Sequence, residues 1–239
     1  MLLLNSLLSG IGIGVGTPFR GKPPGGGAAF APSDISGLVG EFYATVGVTD
    51  DGGGEVSNWA DQSGNGNDYL ATFSARPTFS TSPDKITFNG TSNRLKTATF
   101  TLNQPFTRVL LITQVSWTSG DFICDGFNTA SAYMYQNNLS PEIRITAGGA
   151  ELENAGITIG VEGVLVGIWD NAGANSSIIV DDGTPVTGAT GATGAAGLSL
   201  GNDAASNNGG NIVVRAELVY NKALSASEIT SVTTYMQSL

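Results

Sequence analysis

Histidine is absent from the 239 residues. That absence excludes His-based triads, imidazole acid–base catalysis and His zinc sites. Cysteine is nearly absent: Cys124 stands alone, so neither an internal disulfide nor a thiolate metal cluster can form. Charge is scarce, at 13% of residues against the usual quarter, and 20 acids face only 10 bases. The formal charge of −10 argues against phosphate-backbone binding, so no nucleic-acid partner is expected. No apolar run reaches the ~20 residues of a membrane span. The apolar fraction of 41% is nevertheless ordinary, which separates the chain from disordered acidic sequences.

Glycine is what abounds, with 34 residues, about twice the usual share. Part of it lies in an unusual amino-terminal segment. Residues 1–33 carry Arg20 and Lys22 and no acid, while the remainder carries 8 bases and 20 acids. Met1 to Gly16 is apolar, and Gly21 to Gly27 (GKPPGGG) is flexible and non-helical. A signal peptide is the competing reading, with AAFA before Pro32 as its cleavage site. Against it, no positive charge precedes the apolar run, and Gly and Ser interrupt that run. The expectation is an anchoring or oligomerisation arm that buries Leu2, Leu3, Leu4, Leu7, Leu8, Ile11 and Ile13 in a partner or in a homo-oligomer. A first strand tucked into the protein's own sheet stands beside it.

Residues 34–239 read as a single all-β domain. Val109 to Trp117 alternates, Glu142 to Thr146 puts Ile143 and Ile145 on one face, and Val164 to Trp169 suits a central strand. Ser177 to Val180 and Ile212 to Tyr220 add further strands. Turn signals recur at Asp51-Gly52, Asn65-Gly66, Asn89-Gly90, Gly148-Gly149 and Asn208-Gly209, as in a sandwich or jelly roll. Gly188 to Gly197 places Gly at every third position, but three triplets without Pro make a loop rather than a collagen segment. One helix is expected, at the end. Ser225 and Glu228 have capping-box spacing, and Ile229, Val232, Tyr235 and Met236 follow on one face.

Two segments carry a family resemblance. Trp59 to Asp68 (WADQSGNGND) resembles the W-x-D-x-S-G-N-G-N-D/H segment of concanavalin A-like (laminin G-like) jelly rolls, common in secreted bacterial proteins and bacteriophage virion proteins. Arg76-Pro77, Ile86 to Gly90 and Pro105 to Thr107 follow in the expected order. Ala216 to Glu228 then resembles the family's closing strand, turn and helix. The resemblance spans about residues 34–239 and implies a concanavalin A-like jelly-roll sandwich with a short C-terminal helix and an N-terminal arm. It further implies a virion protein, either a capsid-decorating or a fibre and spike component. Its arm would meet other virion proteins and its jelly roll would bind host-surface glycans. A secreted or cell-surface carbohydrate-binding module is the alternative, and a glycoside hydrolase the third reading.

Asp61, Asn65, Asn67 and Asp68 offer oxygen ligands for calcium, or form a self-bonded Asx-rich turn. Asp50, Asp51 and Glu55, and separately Asp181 and Asp182, lack calcium-loop spacing and read as hairpin turns. A glycosidase needs two carboxylates about 5–10 Å apart on a rigid frame. Glu151 and Glu153 are the nearest pair but fall in an expected loop, and Glu217 has no acid at i±2 or i±4. No enzyme activity is therefore expected. Sugar binding asks only for an aromatic platform with hydrogen-bonding neighbours. Tyr133 and Tyr135, followed by Gln136, Asn137 and Asn138, supply those types, with Met134 on the opposite face. Alternation alone leaves open which face looks inward. Trp117 and Trp169 read as core, and Cys124 as buried and inert.

Overall fold

The computed structural model describes residues 29–128 and 131–239. The expected arm contacts at Leu2, Leu3, Leu4, Leu7, Leu8, Ile11 and Ile13 lie outside the described residues. No helix among the described residues is long and apolar enough to cross a membrane.

Two antiparallel sheets form the body, with strands numbered in chain order. Sheet A holds β1 (Leu38–Tyr43), β5 (Thr78–Thr81), β6 (Asp84–Asn89), β8 (Phe106–Gln114), β13 (Glu162–Trp169), β14 (Ser176–Val180), β15 (Val186–Gly188) and β17 (Asn211–Tyr220). Sheet B holds β2 (Val48–Asp50), β3 (Val56–Trp59), β4 (Tyr69–Leu70), β7 (Leu95–Lys96), β9 (Phe122–Gly126), β10 (Tyr133–Gln136), β11 (Ile143–Thr146), β12 (Leu152–Asn154) and β16 (Leu198–Leu200).

Sheet A runs β15-β14-β13-β8-β17-β6-β5, with β1 added against β17. Sheet B runs β12-β11-β10-β9-β16-β7-β4-β3-β2. Neighbours in space are distant in sequence, as Greek-key connections require. The central strands β8 and β13 are buried along nearly their whole length because both of their faces are covered. Leu110, Ile112, Leu165 and Trp169 face sheet B and join the sandwich core, where Trp169 stacks on Phe106 at 4.8 Å.

On the other face, Val109, Leu111, Val164 and Val166 meet the helix α1 (Ala226–Gln237) through Ile229, Val232 and Met236. The expected capping box starts that helix. Ser225 Oγ accepts from the Glu228 amide, and Glu228 returns a bond to the Ser225 amide at 2.8 Å. The described end of the arm packs here too. The Phe30 ring meets Tyr235 edge-on at 5.8 Å, and Tyr220 donates to the Pro32 carbonyl at 3.2 Å.

One strand ends earlier than its apolar pattern suggests. The β13 partner begins at Glu162, opposite Thr113, so residues beyond Gln114 lose that neighbour and keep only the Asn211 carbonyl at the start of β17, which takes the Val115 amide at 2.9 Å. Val115 is therefore 45% exposed, and Trp117 is half-buried outside the core rather than within it.

Candidate functional site

Whether Tyr133 and Tyr135 are open to a ligand depends on which way β10 is turned. Met134 is fully buried in the sandwich core, opposite Cys124 of β9, so Tyr133 and Tyr135 point outward. A register shift between β9 and β10 then skips Ile123 and places Phe122 opposite Tyr135. Its ring joins the two tyrosines: Phe122 lies 4.7 Å from Tyr133 and 5.9 Å from Tyr135, and the tyrosines lie 5.4 Å apart. All three are half-buried, which leaves aromatic surface open to solvent.

Pairing across the sheet extends this patch with charge. Tyr135 lies opposite Arg144 of β11, and Arg144 opposite Glu153 of β12. Arg144 forks onto Glu153 through Nε at 3.0 Å and Nη2 at 2.8 Å, and reaches Glu151 at 2.5 Å. Tyr135 donates its hydroxyl to Glu151 at 2.5 Å. Burial, followed by that hydrogen bond to Glu151, pushes the Tyr135 phenol up to about 12. It therefore stays protonated as a donor at neutral pH.

The three amides that follow the tyrosines take different places. Gln136 is fully buried: it donates to Gln114 and to the Ser116 carbonyl and accepts from the Thr118 amide, so it braces the loop after β8. Asn137 is also buried and donates to Glu142 at 2.7 Å and Glu153 at 2.8 Å, while its Oδ1 is buried without a partner. Asn138 is exposed and accepts from Ser119 at 2.9 Å. The aromatic patch thus keeps Tyr133 and Tyr135, while Gln136 turns inward and Asn137 is buried at its edge against Glu142 and Glu153. Phe122, Arg144, Glu151 and Glu153 complete it. Only register brings these four to the patch, and the Tyr-x-Tyr pattern carries no sign of them.

The Asp61 loop is stitched to β1. The Asp61 carboxylate accepts from the amides of Glu41, Ser63 and Asn67 and from the Ser63 hydroxyl, at 2.8–3.0 Å. Asn65 and Asn67 turn their amide donors onto the carbonyls of Leu38 and Val39, and Asp68 accepts from the Asp61 amide. These are the bonds of an Asx-rich turn. Among the described residues no three His, Cys, Asp or Glu side chains converge to share a metal ion.

The sequence matches no protein-family model and no curated protein. Solved structures do match in shape. A sialidase from Trypanosoma rangeli superposes with a TM-score of 0.63 at 15% identity, over 85% of this chain and 33% of the sialidase. Domain 4 of a GH43 extracellular arabinanase from Geobacillus stearothermophilus, solved with arabinotriose, gives 0.60 at 11%, over 82% of this chain and 98% of that domain. The botulinum neurotoxin type G receptor-binding domain gives 0.60 at 10%, over 84% and 51%. The chain spans about a third of the sialidase it matches.

The chain is a jelly-roll β-sandwich. At these identities the likeness is one of fold, and it overturns one expectation from the sequence. Exclusion of enzyme activity does not stand, because the architecture is shared with sialidases and an arabinanase domain. Of the two carboxylates expected in a loop, Glu151 lies outside the strands as expected and Glu153 does not. Glu153 lies on strand β12 and Glu151 directly precedes it, both bonded to Arg144 beside the aromatic patch. Nothing in these neighbours points to a virion protein.

Proposed function

We propose that this chain is a glycan-binding jelly roll whose sugar platform is the outward face of Phe122, Tyr133 and Tyr135. The observation that carries the reading is the shared, half-open surface of those three rings, bordered by Arg144, Glu151 and Glu153. Apolar sugar faces pack on such rings, and hydroxyls pair with charged and amide groups at their edge. The arabinotriose in the structure of the arabinanase domain, which this chain matches over 98% of that domain, supports a carbohydrate ligand. Isothermal titration of the full chain against neutral and acidic oligosaccharides tests it. Tyr135→Ala and Tyr133→Ala are expected to weaken the interaction about tenfold or more, and unchanged affinity in both would overturn the platform.

Hydrolysis of the bound glycan is a second reading, favoured by Glu151. It takes the Tyr135 hydroxyl proton bond while held by Arg144, so a tyrosine and two carboxylates share one face. Release of reducing sugars by the wild type, abolished in Glu151→Gln, is the expected outcome of that reading.

The narrower placement is a bacteriophage particle, as a capsid-decorating or fibre component presenting this face to host-surface glycans. It is supported by the resemblance at Trp59 to Asp68 and Ala216 to Glu228 and by the acid-free apolar segment 1–33. Light scattering of the full chain against a form lacking residues 1–33 tests the arm. Loss of a homo-oligomer supports docking through it, and an unchanged state favours an extracellular carbohydrate-binding module.

A further inference from the structure

Bases are few in this chain, and most of those described are neutralised. Arg76, Arg108, Arg144, Arg215 and Lys222 each contact a carboxylate. Lys85, Arg94 and Lys96 do not, and of these only Arg94 and Lys96 share a cavity. It measures about 270 Å³ and is lined by both bases with Leu70, Thr72, Ala75 and Thr97. That is near the small end of ligand pockets, about 300–1,000 Å³.

The bases are held in place without a direct ion pair. Arg94 donates to the Ala204 carbonyl, and the Lys96 ammonium stands 3.8 Å from the Phe127 ring centroid. Asp203 and Asp125 offset part of their charge from further off, and both carboxylates are fixed there by loop groups. Asp203 accepts from the amides of Ala205 and Asn207 and from the Asn208 side chain, and Asp125 from the amides of Gly126, Ser131 and Ala204. Burial, and then the charge of Arg94, pull the Lys96 ammonium below its ordinary value. Two like charges stay beside one small cavity in a protein of net charge −10. A bound anion removes that repulsion.

The cavity also has apolar sides. Leu70, on its wall, is 55% exposed, and Phe73, on the segment beside it, is 76% exposed. Leu95 and Met134 both lie in the sandwich core, so Lys96 shares the outer face of sheet B with Tyr133 and Tyr135. Between them the order β7-β16-β9-β10 leaves three strand spacings, roughly 15 Å, across Ser199 and Asp125, which are fully buried beneath the loop at Asn202 to Ala204.

We propose that Arg94 and Lys96 form an anion subsite of the glycan-binding face, taking a carboxylate-bearing sugar residue of an acidic polysaccharide. The inference rests on the glycan-binding reading and names its ligand class. Carboxylate oxygens would lie against the guanidinium and ammonium groups, with the sugar ring against Leu70.

The test titrates the full chain at low salt with three probes: an oligogalacturonate, its methyl ester and a sulfated dextran oligomer. Esterification removes the charge and keeps the chain. The free acid is expected to bind about tenfold tighter than the ester, and salt is expected to shrink that margin. Lys96→Gln, which loses the contact with the Phe127 ring but no hydrogen bond among the described residues, and the Arg94→Gln/Lys96→Gln pair are expected to abolish the margin and leave ester binding intact. Equal binding of acid and ester by the wild type, or a margin that survives both variants, overturns the subsite. A sulfated oligomer bound more tightly than the uronate overturns the carboxylate assignment. Ester binding without charge preference leaves the glycan reading standing while the subsite falls. Binding of none of the probes removes the subsite, and the glycan reading is then decided by the tyrosine variants on neutral sugars.

Discussion

Arg108 and Glu217 lie 2.7 Å apart between the two sheets, and neither side chain reaches solvent. Arg108 also donates to the Asp125 and Ser199 carbonyls of sheet B, while Tyr69 donates to Glu217 at 2.8 Å. The pair therefore clasps β8 and β17 of sheet A to β4, β9 and β16 of sheet B. Removal of one partner leaves a buried charge unpaired. Glu217→Ala is expected to cost about 3–5 kcal/mol of unfolding free energy, read from urea titrations. A cost below about 1 kcal/mol would mean that water reaches Arg108.

The helix end makes an acid-dependent contribution. The Glu228 carboxyl is held below the usual carboxylate range, first by Lys222 and then by the Ser225 amide. Such a group stabilises the native state above its unfolded pKa of about 4.3 and loses that contribution as pH falls through the lower, folded value. Glu228→Gln is expected to cost about 0.5–1 kcal/mol at neutral pH. It should also flatten the fall in stability on acidification below about pH 4. Parallel acid-melting curves for wild type and variant would contradict this assignment.

Cys124 tests the closure of the core. Burial pushes its thiol up to about 12, and its side chain lies among the fully buried core residues. A thiol reagent near pH 8 is expected to leave the native protein unmodified and to titrate one thiol in denaturant. Rapid native labelling would show that β9 and β10 open locally.

The Asp61 loop separates a turn from a metal site. Four hydrogen bonds fill the carboxylate, so Asp61→Ala is expected to cost about 2–3 kcal/mol without any ion being involved. Calcium followed by EDTA is expected to leave the thermal midpoint unchanged. A calcium-dependent rise, abolished by the same variant, would establish a metal site there.

Local features were legible in the sequence. The Ser225–Glu228 box starts the helix because its bonds span three residues, and Gly52, Gly66, Gly90 and Gly148 all take the positive φ their turn signals imply. Long-range pairing was not legible. The Arg108–Glu217 pair joins residues 109 apart, and no local pattern announces it. The Tyr133 and Tyr135 alternation showed that the rings share a face, but the facing of Met134 against Cys124 decides which one. Phe122 enters the patch only through a register shift, and Arg144 and Glu153 only through strand pairing. Trp117 misled because its apolar pattern continues past the end of the neighbouring strand.

The most direct test of the glycan face is isothermal titration of oligosaccharides into the full chain and into the Tyr133→Ala/Tyr135→Ala variant, with folding checked by the thermal midpoint. The account predicts saturable binding to the wild type and a loss of about tenfold or more in the folded variant. Equal affinity in the two proteins would contradict it.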